Sequence, residues 1–190
     1  MQRIGYILDL GKDFIRVFEE RCRPDHNNAK NKMLMTFGHD LYSNTGFISD
    51  TDSLYDICLK DDKYVKETLG EDGHIMISKM LMNLLHRGLK EKCPKMYQEI
   101  DVSNYEITVK SMPGCQYCPF VHPKIFECGY DFIAPYAGED YLITNKKTGK
   151  QLKINTLNLH LIYHHHFYEG NVPHRVSPQT LIELFELKKQ

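Results

Sequence analysis

The sequence contains no tryptophan, so its large side chains must come from 12 tyrosines and 9 phenylalanines. It also lacks an excess of either charge: 24 Lys+Arg stand against 25 Asp+Glu, and each half of the chain is close to balance. That excludes a polycationic grip on nucleic acid or on an anionic membrane and leaves room only for a local basic patch. No apolar run is long enough to cross a bilayer. The longest apolar-rich stretch, Ile75 to Leu85, is interrupted by Lys79 and Asn83. The first ten residues carry Asp9 and show no signal-peptide pattern of apolar run and small-residue cleavage site. These absences predict a soluble, intracellular (cytoplasmic) protein that is not secreted and has no membrane partner. There is no phosphate-binding glycine loop, no nucleophile elbow and no catalytic carboxylate pair. Internal repeats, low-complexity segments and a Pro/Gly/Ser-rich linker are missing as well.

What remains is an ordinary globular composition, 42% hydrophobic and 26% charged over 190 residues, enough for one large domain or two small ones. The six cysteines, in a chain without export signals, are expected to be reduced thiols. Cys22, Cys58, Cys93 and Cys128 read as small buried hydrophobes.

The helical period sets the reading of the first half. Residues 12–23 form a helix with Phe14, Val17, Phe18 and Cys22 on one face. A short helix over 29–37 ends at Gly38, and 39–52 is a polar loop. Two short helices follow, 53–59 and 61–69, the second stopping at Gly70. The strongest helix, 73–92, carries Ile75, Ile77, Met80, Leu81, Leu84, Leu85 and Leu89 as an apolar stripe. Beyond Pro94 the texture changes. Alternation predicts strands over 100–112 and 125–133, and a hairpin of 141–144 and 151–155 around Asn145-Lys-Lys-Thr-Gly-Lys. Helices over 156–167 and 178–188 close the chain, the latter with Ser177 as N-cap and Pro178 at its first position. Its apolar residues Leu181, Ile182, Leu184, Phe185 and Leu187 suit docking on the core or on a second copy of the chain, a homo-oligomer.

Two stretches carry the chemistry. Cys115-X-X-Cys118 sets two sulfurs on one tight turn, as a tetrahedral zinc requires of its thiolates. Downstream, His160, His164, His165 and His166 lie on a helix that Asn155 or Thr156 caps. His160 and His164, at i and i+4, share a face. His165 sits about 100° further round an ideal helix and can ligate only where the last turn loosens. The metal set is therefore Cys115, Cys118, His160 and His164, or His165 in place of His164, with His122 and His174 as lesser candidates.

Cys115-X2-Cys118, Phe120, Leu157 and His160-X3-His164 (or His160-X4-His165) resemble a two-Cys two-His ββα zinc finger over about residues 113–167. The resemblance implies Zn2+ as the cofactor and Leu157 packed beneath it. The usual spacing from second Cys to first His is about 12–15 residues. Here 41 residues intervene, room for two further strands, so an expanded finger is built into a larger domain. The helix positions that would face bases, Thr156, Asn158 and Leu159, lack the arginine that most often reads guanine.

The expected fold class is α+β. A helical region, 1–99, precedes an antiparallel-sheet-plus-helix region, 100–190, built around the finger-like unit, and the two could equally be layers of one domain. The expected function is that of a zinc-anchored, non-catalytic interaction or regulatory protein whose partner is a protein or nucleic acid. Lys146, Lys147, Lys150 and Lys153 on the hairpin are the candidate phosphate or partner contact. The alternative is a metal-dependent hydrolase or nuclease that uses the His cluster with an open coordination position.

Overall fold

The computed structural model describes residues 2–3, 6–23, 46–85, 102–111, 118–120, 126–127 and 139–189. The expected helix over 29–37 lies outside them. Strand β1 (Gln2–Arg3) leads through a 3-10 turn (Ile7–Leu10) to helix α1 (Lys12–Cys22). Helices α2 (Leu54–Leu69) and α3 (Gly73–Leu85) follow. Then come β2 (Tyr105–Ser111), β3 (Phe126–Glu127), β4 (Glu139–Asn145) and β5 (Gln151–Asn155). Helices α4 (Thr156–His165) and α5 (Pro178–Leu184) complete the order. The class is α+β, with a three-stranded antiparallel sheet in the order β2-β4-β5 and a short parallel pair, β1-β3.

Several local expectations change on folding. The expected break near Lys60 is absent: Leu54–Leu69 is one helix. Its two central aspartates are held by partners, two from distant elements and one a turn further along the same helix, instead of ending it. Asp61 pairs with Arg175 at 2.5 Å, and Asp62 with His74 at 3.1 Å and Lys66 at 3.0 Å. Ser53 caps the helix by accepting from Asp56 N–H, a bond that contributes about 1 kcal/mol. On α1 the buried residues are Ile15, Phe18 and Cys22. Phe14 and Val17, expected to share the buried face, are 55% and 52% exposed. Ile15, Phe18 and Cys22 also fit a helical stripe, so periodicity alone could not choose between the faces. On α3, Ile75 stands partly out of the core while Ile77, Met80, Leu81 and Leu84 are buried. The last helix stops at Leu184, short of the expected 188.

Two buried clusters organise the packing. One joins α3, the sheet, α4 and α5 through residues such as Leu81, Leu84, Ile143, Ile154, Ile162 and Leu181. The other joins α1, α2 and α4 through Ile15, Phe18, Leu54, Phe120, Leu157 and Leu161. Both draw on residues from either side of position 100. Helix α4 serves both clusters, and every residue from Leu157 to Ile162 is buried. That explains why its sequence is apolar nearly all round: it has no solvent face to present. The apolar residues of α5 are buried against this chain's own core. Among the described residues, no helix is long and apolar enough to cross a membrane.

Candidate metal centre

Helix α4 begins with a reciprocal cap. Asn158 N–H donates to the Asn155 side chain at 2.8 Å, and Asn155 N–H donates to Asn158 Oδ1 at 3.0 Å. Two orphan donors of the first turn are satisfied, which fixes where the helix starts and the heights of His160 and His165 along it. The other end is unusual. His166 sits in the left-handed region at φ 52°, and its N–H reaches the carbonyls of both Ile162 and Leu161. Phe167 N–H also donates to Leu161 O, at 3.2 Å. Bonds that reach back past a left-handed residue close the helix end, immediately after His165.

His165 belongs to a buried cluster. Donor atoms of Cys118, His160 and His165 all lie within 4.8 Å of one another, with side chains 2%, 0% and 1% exposed. Cys118 Sγ is 3.4 Å from His165 Nε2. Tetrahedral bonds of about 2.3 Å to sulfur and about 2.0 Å to nitrogen place those atoms ~3.5 Å apart. The spacing therefore suits one ion held between them, and this group could hold a metal. His164 is not part of the group. Its ring centroid is 4.8 Å from that of His160 and 6.2 Å from that of His165. Cys115 and His122 lie outside the described residues, and His174 is exposed.

The surroundings fit the chemistry. Phe120 packs edge-on against His165, with centroids 4.9 Å apart, and is buried in one cluster with Leu157 and Cys118. Arg21 stands near the sulfurs: burial lowers its pKa, while negative charge on Cys22 or Cys118 would raise it. A guanidinium in this place favours a thiolate over a thiol. The free thiols Cys22 and Cys58 are buried, and burial pushes the pKa of each upward. Both stay protonated, as expected of packing cysteines.

Below the helix end lies a polar layer that sequence reasoning did not single out. His166 is stacked between Tyr6, 3.4 Å away, and His74, 4.2 Å away. His74 Nε2 faces Asp62 Oδ1 at 3.1 Å, and its Nδ1 faces the Tyr168 hydroxyl at 2.8 Å. With Asp62 ionised, Nε2 carries the proton and Nδ1 accepts from Tyr168. Burial lowers the pKa of His74 in spite of Asp62, and the ring is neutral. A cavity of about 250 Å3 opens here, with His165 and His166 in its wall. Glu169, also in the left-handed region, is buried and accepts from Asn158 Nδ2. Its backbone carbonyl accepts from Arg175, which also holds Asp61. No local signal marks these residues, because each acquires its partner from a distant element.

The hairpin lysines have partners of their own. Lys147 meets Glu186 at 3.1 Å, Lys150 meets Glu183 at 2.7 Å and Lys153 meets Asp140 at 2.7 Å. Lys146 is exposed. Three of the four charges are thus offset within the chain. Asn158 and Leu159 are buried and turned into the fold, away from any nucleic acid. The interval between Cys118 and His160 includes β3, β4 and β5, so the β4–β5 hairpin follows the Cys motif and feeds directly into α4.

No protein-family model, curated protein or solved structure matches this chain significantly.

Proposed function

We propose that this chain is a zinc-anchored, non-catalytic interaction or regulatory protein, in which the metal ties the Cys118 turn to helix α4. The observation that carries this reading is burial: three donors of metal-binding type meet at one point with almost no exposure. A single ion would bind a thiolate and two imidazoles that are buried together, and its binding energy would add to that of folding. A thiolate and imidazoles suit zinc. Cys115, three residues before Cys118, is the proposed fourth ligand, and four protein ligands make a closed, structural site. That composition retains the likeness to a two-Cys two-His finger, with three strands in the interval.

The partner is a protein or a nucleic acid. Binding measured across a salt series sorts the two, since phosphate contacts release counterions and give a steep negative slope. The paired lysines of the hairpin favour a protein.

One observation favours a second reading, a metal-dependent hydrolase or nuclease: the cavity wall includes His165, so the proposed centre adjoins a space that a small substrate could enter. Metal analysis with folding measurements on Cys118→Ser and His165→Ala separates the two. Loss of zinc together with loss of the cooperative unfolding transition supports the structural role. A folded, zinc-poor variant that has lost a measurable hydrolytic activity would sink it.

A further inference from the structure

A sealed metal site needs a way for its ion to come and go. Cys118, His160 and His165 have almost no exposed surface, so an ion cannot reach them directly across the described surface. The cavity of about 250 Å3 lies between the 3-10 turn, α2, α3 and the end of α4. His165, a member of the triad, forms part of its wall, with His166 beside it. Toward solvent the lining carries Asp9, Asp62 and Glu71 against a single Lys66. That lysine is already engaged by Asp62 at 3.0 Å and Glu71 at 3.8 Å, so the mouth is net negative.

Each part of this lining suits a stage of ion transit. A negatively lined cleft with low-dielectric walls concentrates cations and speeds their arrival. Carboxylates are hard oxygen donors that accept a hydrated divalent ion; imidazoles are the preferred donors once water is shed. At roughly 30 Å3 per water, the cavity has room for an ion that keeps several of its waters. The gradient runs from carboxylates at the mouth to imidazoles at the floor, and the floor adjoins the proposed site through His165.

We propose that this cavity is the exchange route of the buried metal centre, in which Asp9, Asp62 and Glu71 draw in a hydrated divalent cation and His166 passes it to His165. The inference rests on the metal reading given above.

The test follows exchange of bound zinc for radioactive zinc in the folded, zinc-loaded full chain. Ile75 lines the cavity and is 39% exposed, so Ile75→Trp places bulk in the mouth; Ile75→Phe serves should the larger ring prevent folding. A second variant, Asp9→Asn with Glu71→Gln, removes charge without touching the triad. In each, zinc content and the thermal midpoint should match the parent. The blocked variant should exchange about tenfold more slowly, and the neutralised one should also slow and lose most of its dependence on salt. Parental exchange rates in both variants overturn the route and leave the metal centre standing. A parent chain that holds no zinc sinks the metal reading instead.

Discussion

Asn158 donates from Nδ2 to Oε1 of Glu169 across 2.6 Å inside the core. The same Asn158 caps helix α4, and Glu169 sits just past the helix end, so one hydrogen bond closes the segment that carries His160 and His165. Glu169 is a poor tenant of that place as an anion. Burial pushes its pKa up from 4.5 to about 8, against the opposing pull of Arg175 and Asn158, and its Oε2 has no hydrogen-bond partner.

A pH dependence follows. The folded state holds this proton over a range in which the unfolded chain has released it. The contribution is therefore fully present below about pH 4.5 and is lost as pH rises through about 8. Glu169→Gln keeps an acceptor for Asn158 and removes the titration. Urea unfolding of parent and variant from pH 5 to 9 should show a gap that shifts in the variant's favour with pH, by on the order of 1–3 kcal/mol across the range. Parallel curves would refute the assignment.

The two adjacent histidines should separate cleanly. His165 contributes a donor to the group with Cys118 and His160, and His164 does not. His165→Ala should lower zinc affinity by more than the 10–100-fold (about) typical of losing an outer partner. His164→Ala should leave the zinc content near that of the parent. Titration with cobalt, whose absorption reports sulfur and nitrogen ligation, would read both; equal losses would show that the geometry of the last turn has been misassigned.

Arg175 ties the connection between α4 and α5 to helix α2 by holding Asp61 on α2 and the carbonyl of Glu169. Asp61 is 5% exposed, and burial raises its pKa more than Arg175 lowers it. Removing one partner of a buried pair costs about 3–5 kcal/mol, mostly from the charge left behind. Arg175→Ala should cost that much in denaturant unfolding. Asp61→Asn, which leaves a neutral acceptor for the guanidinium, should cost less. A loss below about 1 kcal/mol for Arg175→Ala would mean that the pair is solvated.

Gly170 lies beyond the end of helix α4 at His165. Its role is close approach: a Cβ there would lie 2.6 Å from Asp52 Oδ2, 2.9 Å from Ile57 Cδ1 and 3.0 Å from Ile48 Cα. Asp52 cannot easily swing aside, since that oxygen accepts from Ser49 N–H and Asn171 N–H, both at 2.8 Å. Gly170→Ala should destabilise by about 1–3 kcal/mol, read as a lower thermal midpoint; an unchanged midpoint would show that the 46–52 loop yields freely.

Elements whose causes are local were readable before folding. The β4–β5 hairpin follows from alternation around a Gly-bearing turn, and the start of α5 from Ser177 and Pro178. Asn155 as the cap of α4 belongs with them. Misreadings arose where a distant partner intervened. Asp61 and Asp62 look like a helix break until Arg175 and His74 reach them from elsewhere and Lys66 pairs with Asp62 one turn along the same helix. Phe14 and Ile15 offer equally good stripes until α2 and Phe120 cover one of them.

The candidate centre divides in the same way. Residue types and spacing were enough to place Cys118 and His160 among candidate ligands, because thiols and imidazoles near a tight turn and on a capped helix are a metal's preferred donors. The histidine that stands beside them in the structure, His165, is placed there by packing. An ideal helix favours His164 as the companion of His160. In the structure the donor of His165, the last helical residue before the left-handed His166, lies beside the sulfur. Periodicity describes a regular helix, and it says nothing of the end of this one, where Tyr6 and His74 from far along the chain stack on the left-handed His166.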